Sequence, residues 1–251
     1  MMDGQKNFRV RRSALYTPLA LLLLAVAAVV FISLFFRVSI IQLQNDTVYT
    51  DEELLAASGL EKGANLLFVN NFTAVSSIYA TMPYVESVSL RRVMPNRIIL
   101  AVTGSEAVAC VSFGEDYWLI NPYGKLLEKI DSKTARSFIR VTGMEPLQPV
   151  AGEQMIVRDQ DAGKDEYLYS VLSELEERNL HTHVTKMDLS DPTAPVLEYE
   201  DRYVVYLSSD EDLAYRLSLL QSAVAQLAEG DAGTLEIDPD CRSNKVYFTP
   251  N

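Results

Sequence analysis

Cysteine is nearly missing from this chain: Cys110 and Cys241 are the two in 251 residues. That excludes the multi-bridge framework with which small exported domains compensate for thin cores. A single bridge and two separate buried thiols both remain open. Histidine is as scarce, with His181 and His183 two positions apart. An extended segment would point both the same way, but Asp188 is the one further donor at hand, too small a set for a built metal site. A solvated loop is the expectation there, with no metal and no cofactor. Catalytic signatures are missing too. None of the eight lysines follows a serine by three positions, and there is no nucleophile elbow, zinc-protease motif or phosphate loop. A serine–lysine dyad built from distant residues leaves no such trace, and 34 acids make paired carboxylates uninformative. The chain therefore reads as not an enzyme, with a membrane-anchored exported hydrolase or sensor as the alternative.

Long apolar runs are absent except one. Leu19 to Phe36, LALLLLAVAAVVFISLFF, carries no charge, and at about 1.5 Å per residue it makes about 27 Å of helix. The flanking Ala14 to Pro18 can extend it across a hydrocarbon layer of roughly 30 Å, with Pro18 in a first turn that tolerates proline. A cleaved signal peptide is the competing reading, but the run is too long and the bulky SLFFRVSI stands where small residues would mark cleavage. Lys6, Arg9, Arg11 and Arg12 crowd the N-terminal tail against a lone Asp3, so the tail should be cytoplasmic and everything after Arg37 outside.

Basic charge is also in short supply, at 22 Lys and Arg against 34 Asp and Glu. The chain's net −12 and the +4 carried by residues 1–37 leave −16 for the exported part. Such a surface repels nucleic acid and anionic polymers, which favours protein partners or simple solubility.

What is there is a patterned α+β chain. Val38, Ile40 and Ile41 begin a short strand. Thr50 with Glu53 three positions on forms a capping box ahead of Leu54 and Leu55, and Ser58-Gly59 stops that helix. Asn71 to Met82 carries Phe72, Val75, Ile78 and Tyr79 at helical spacing and ends at Pro83. In MPYVESVSLRRVMPNRIILAV, Val88 and Leu90 alternate toward a core, Pro95-Asn96 turns the chain, and Arg97 to Thr103 returns as a second strand. Strand, helix, helix, strand, strand make a compact unit.

Beyond Glu106 strands dominate. Val108 to Phe113 and Tyr117 to Ile120 precede the turn Asn121-Pro122-Tyr123-Gly124 and then Leu126 and Leu127, and Pro146, Pro149 and Gly152 mark a loop. Glu166 to Leu180 is an amphipathic helix, followed by strands at Thr185 to Leu189, Val196 to Tyr199 and Tyr203 to Leu207. Ser209 to Asp212 opens another helix with the stripe Leu213, Leu217, Leu220, Val224 and Leu227, and strands close the chain at Thr234 to Ile237 and Lys245 to Thr249.

YTDEELLAASGLEKGANLLFVN, the hairpin stretch quoted above and VACVSFGEDYWLINPYGKLLE together resemble the POTRA domain and following segment of the FtsQ/DivIB cell-division proteins. The basic tail, single anchor and element order extend the resemblance over nearly the whole chain. It departs at TGSEAVAC, where family members carry an acidic-basic pair and a proline. The resemblance implies a cytoplasmic tail at 1–13, a transmembrane helix at 14–37, a POTRA-type βααββ domain at 38–105 and a strand-rich α+β domain at 106–251. It also implies a noncatalytic scaffold at the division septum, joining FtsL-type and FtsB/DivIC-type bitopic partners outside the cell membrane.

The last strand is the candidate docking edge. Val246 and Phe248 alternate with Lys245, Tyr247 and Thr249, so one face can pack while the backbone pairs sideways. FtsQ-like proteins bind their small partner by strand addition near this end, which supports that reading. An internal strand that merely closes the fold is the alternative. Pro250, lacking a donor, should end the ladder.

Overall fold

The computed structural model describes residues 13–191, 194–207, 212–228, 230–237 and 245–251. Lys6, Arg9, Arg11 and Arg12 of the basic tail, Ser209 to Glu211 of the expected helix start, and Cys241 lie outside them. The described residues up to Ile78, with Ser87–Thr103, form one compact unit; Tyr79–Glu86 and the residues from Gly104 onward form another.

In the first unit, α1 (Ser13–Phe35) is apolar and exposed from Pro18 to Phe35. Its 23 residues span about 35 Å, enough to cross a bilayer. Because the helix begins at Ser13, Pro18 sits inside it and not in its first turn, as expected above. β1 (Ile40–Asp46) follows, then α2 (Asp51–Ser58) and α3 (Asn71–Thr81). The capping box forms: Thr50 Oγ1 accepts from the Glu53 amide at 3.3 Å and the Glu53 carboxylate accepts from the Thr50 amide at 2.8 Å. Gly59 closes α2 in the left-handed conformation.

β2 (Val85–Val93) and β3 (Arg97–Gly104) complete a sheet ordered β1-β3-β2, with β1 parallel to β3 from Ile40 opposite Arg97 to Asp46 opposite Thr103. The central strand buries Ile98, Leu100 and Val102. Val88 and Leu90 occupy the inward face of β2, Leu90 against Val38, Leu66 and Ile98, yet both stay half-buried. β2 is an edge strand with one neighbour, which explains the shallower burial. In α3 the buried residues are Ala74 and Ile78, while Phe72 points out; helical spacing marks a stripe, and packing chose the stripe beside it.

Among its described residues, the second unit has a nine-stranded sheet and two α-helices. Its elements are β4 (Ala109–Phe113), β5 (Asp116–Ile120), β6 (Leu126–Ile130), β7 (Ile139–Thr142), α4 (Lys164–Glu177), β8 (Val184–Asp188), β9 (Val196–Tyr199), β10 (Tyr203–Tyr206), α5 (Leu213–Val224), β11 (Gly233–Ile237) and β12 (Val246–Pro250). Across the sheet the order is β12-β11-β10-β9-β8-β7-β4-β5-β6. Leu168, Val171, Leu172 and Leu175 of α4 and Leu213, Leu217 and Leu220 of α5 share one core with Val111, Val141, Leu197, Val205 and Leu235. β7 is absent from the expectations above; four residues carry too little periodicity to stand out, although Ile139 and Val141 are buried.

The opposite parity of β4 feeds a smaller cluster of Cys110, Leu119, Leu127 and Ala135. The Cys110 thiol donates to the Ala135 carbonyl at 3.7 Å, and burial pushes it up to about 11. His181–His183 is a short 3₁₀ turn and not an extended segment. His183 lies 3.2 Å from the Glu200 carboxylate and stacks on Tyr199. No group of three metal-donor side chains comes together among the described residues.

Candidate protein-docking edge

β12 is the terminal strand of the large sheet, paired on one side with β11 in antiparallel register from Gly233 opposite Pro250 to Ile237 opposite Val246. The ladder does not end at Pro250. The strand runs through it, and the Asn251 amide donates to the Ala232 carbonyl at 3.1 Å.

That bond sets the orientation of the whole strand, because residues of an antiparallel ladder alternate between bonding their partner and facing away from it. Asn251, Thr249 and Tyr247 therefore spend their backbone groups on β11. The amides of Val246 and Phe248, and the carbonyls of Val246, Phe248 and Pro250, point away from the sheet. Proline is accommodated because its missing donor falls on the open side.

Side chains split the other way. Val246 and Phe248 pack on the core, the Phe248 ring edge-on to buried Tyr203 at 6.2 Å. Tyr247 is 52% exposed on the other face, in a cross-strand row with Glu236 and Tyr206. Lys245 is exposed just ahead of the strand. Buried Gly233 makes the close approach feasible: a Cβ there would overlap the Thr249 carbonyl oxygen and crowd the Phe248 ring and Pro250.

Beside the edge, the end of α5 and the turn after it leave a groove of ≈ 490 Å³ lined by Leu219, Ser222, Ala223, Leu227, Val246 and Phe248. The small side chains of Ser222 and Ala223 keep it open. The structure thus brings the predicted residues Val246 to Thr249 together on one strand at a sheet edge and adds a groove wall from α5. Nothing in the sequence joins α5 to a strand some twenty residues later; only the crossover through β11 does so.

This chain is similar to known proteins along most of its length. The family model for the POTRA domain, FtsQ-type, matches residues 36–103. The cell division protein DivIB of Clostridium acetobutylicum is 24% identical over 215 residues, covering 85% of this chain and 83% of that protein. DivIB of Clostridium tetani is 20% identical over 195 residues, covering 78% and 72% respectively. The cell division protein FtsQ of Koribacter versatilis is 28% identical over 123 residues, covering 48% of this chain and 33% of that protein. With an N-terminal apolar helix, an FtsQ-type POTRA domain and a strand-rich domain after it, the chain is similar along most of its length to the DivIB cell-division proteins.

Proposed function

We propose that this protein is a noncatalytic, single-pass scaffold of the bacterial division machinery, with its N-terminus in the cytoplasm and its folded units outside at the septum. It joins FtsL-type and FtsB/DivIC-type bitopic partners, one of which adds a strand to β12. The observation that carries this reading is the open β12 edge. Five backbone groups face outward beside an apolar groove, and the added strand would pair with them while its alternate side chains drop toward Leu219, Ala223 and Leu227.

The test must strike an outward donor. Proline at Tyr247 would break the bond to β11 and confound docking with unfolding. Val246→Pro removes an amide that serves no bond within the sheet, and Val246→Ala keeps that amide while losing the same side chain. In crosslinking pull-downs from native membranes, the alanine variant should still capture the small division partners and the proline variant should lose most of that capture. Equal capture by two folded variants would remove β12 as the docking edge. Covalent labelling of the exported part by active-site serine probes would overturn the noncatalytic part of the reading.

A further inference from the structure

The membrane-proximal end of the first unit carries large apolar side chains that its own fold does not use. The segment Gly63–Leu66 is bonded directly to the end of α1: the Leu66 amide donates to the Phe36 carbonyl at 2.7 Å, the Asn65 side-chain amide to the Ile32 carbonyl at 3.4 Å, and the Val38 amide to the Ala64 carbonyl at 2.8 Å. The apolar stretch of α1 runs to Phe35, so this segment stands at the level where hydrocarbon gives way to headgroups.

The next residues form a fixed turn. The Leu67 amide donates to Asn65 Oδ1 at 3.0 Å, the Phe68 amide to the Asn65 carbonyl at 3.0 Å, and Arg92 Nη2 to the Val69 carbonyl at 2.7 Å. Although its backbone is held at three points, this turn leaves Phe68 82% exposed. The β2–β3 turn lies at the same end, since the Ser39 amide donates to the Asn96 carbonyl at 2.9 Å, and its Met94 is 66% exposed. Phe72, one step into α3, is 79% exposed.

Charge at this end runs against the rest of the exported chain. Arg37, Lys62, Arg91 and Arg97 are exposed around these apolar residues, with Glu61 as the opposing acid. Exposed aromatics and aliphatics ringed by arginine at headgroup depth match the chemistry of an anionic phospholipid surface.

We propose that the membrane-proximal end of the first unit seats on the outer leaflet of the bilayer, with Phe68 and Met94 inserted among the acyl chains and Arg91 and Arg97 against lipid phosphates. The anchor and this contact together fix the orientation of the first unit on the membrane. The inference rests on α1 crossing the bilayer and not on any division partner. Val48 is a matched comparison, 76% exposed but beyond the far end of β1, about 20 Å further from the anchor.

The test uses the full chain in vesicles of phosphatidylglycerol and phosphatidylethanolamine, with and without bromine on the acyl chains. Trp118→Phe removes the one native tryptophan, and Phe68→Trp, Met94→Trp, Val48→Trp or Phe31→Trp then introduces a single reporter. Phe31→Trp should be quenched strongly, as part of α1. Phe68→Trp and Met94→Trp should show blue-shifted emission and several-fold more quenching than Val48→Trp. Their quenching should fall when Arg91 and Arg97 are both changed to glutamine, or when neutral phosphatidylcholine replaces phosphatidylglycerol. Quenching at positions 68 and 94 no greater than at position 48 would overturn the proposal. A protein covering this end in the cell would give that result in these partner-free vesicles.

Discussion

At one end of the nine-stranded sheet, β6 gives both backbone groups of Leu126 away: its amide donates to the Glu153 carbonyl at 2.9 Å, and its carbonyl accepts from the Gly152 amide at 2.7 Å. Charged Glu128 and Lys129 follow, the lysine paired with Asp116 at 2.6 Å. At the other end, β12 meets no further strand among the described residues and exposes Tyr247, while Val246 and Phe248 pack inward. Exposed strand edges invite pairing with other chains, and folded proteins usually blunt them with charge, short length or a covering loop. Among the described residues, one edge of this sheet is blunted by charge and a covering turn, while the other has Lys245 just ahead of its strand and Pro250 at its end; the proposed docking role rests on that difference.

The comparison breaks first if β12 is not held as described. Gly233→Val forces a side chain into the Thr249 carbonyl and Pro250, backbone atoms that cannot swing aside. Overpacking of this kind costs about 1–3 kcal/mol, a large share of the roughly 5–15 kcal/mol that holds a domain folded. The denaturation midpoint should fall, and the Asn251 amide, which donates to Ala232, should lose its protection from hydrogen exchange. An unchanged midpoint with protection retained would mean that β12 does not lie against Gly233.

A smaller change should make the blunted edge resemble the open one. Lys129→Val removes a surface ion pair worth about 0.2–1 kcal/mol and leaves a β-branched apolar residue on β6. Stability should barely move while self-association rises with concentration in sedimentation velocity. A strictly monomeric variant would assign the protection of β6 to the Gly152–Glu153 turn alone.

How much of this contrast was legible beforehand follows from the range of the interactions. The Thr50–Glu53 capping box and the Gly59 stop are contacts within a few residues, so the sequence pattern names them directly. The inward parity of Val246 and Phe248 is equally local. That β12 lies at an edge is not, because sheet order is decided by β10, β11 and β12 meeting across distant segments. The same limit explains Pro250: missing a donor predicts an end to pairing, until the Asn251–Ala232 bond shows that residue 250 faces the open side. Phe72 shows a different limit. Its spacing fits a buried stripe, and only the tertiary packing of Ala74 and Ile78 reveals that the stripe is shifted.

The finest test of the contrast lies in Lys125, which leads into the blunted edge. Burial is the main cause holding its ammonium below the ordinary 10.5, with the charge of Glu86 opposing it. A base whose folded pKa is depressed binds fewer protons folded than unfolded, so stability rises with pH between the folded value and 10.5 and is flat below that window. The unfavourable contribution of the charged form is therefore fully present at neutral pH and is relieved as the medium approaches 10.5. Lys125→Met should abolish this rise while leaving the rest of the pH profile intact, since a methionine stem fills similar space without a charge to desolvate. Urea midpoints measured from pH 8 upward on both proteins provide the check. Parallel curves would mean that Lys125 is solvated, and would leave the 152–153 turn and the surface charges as what closes the β6 edge.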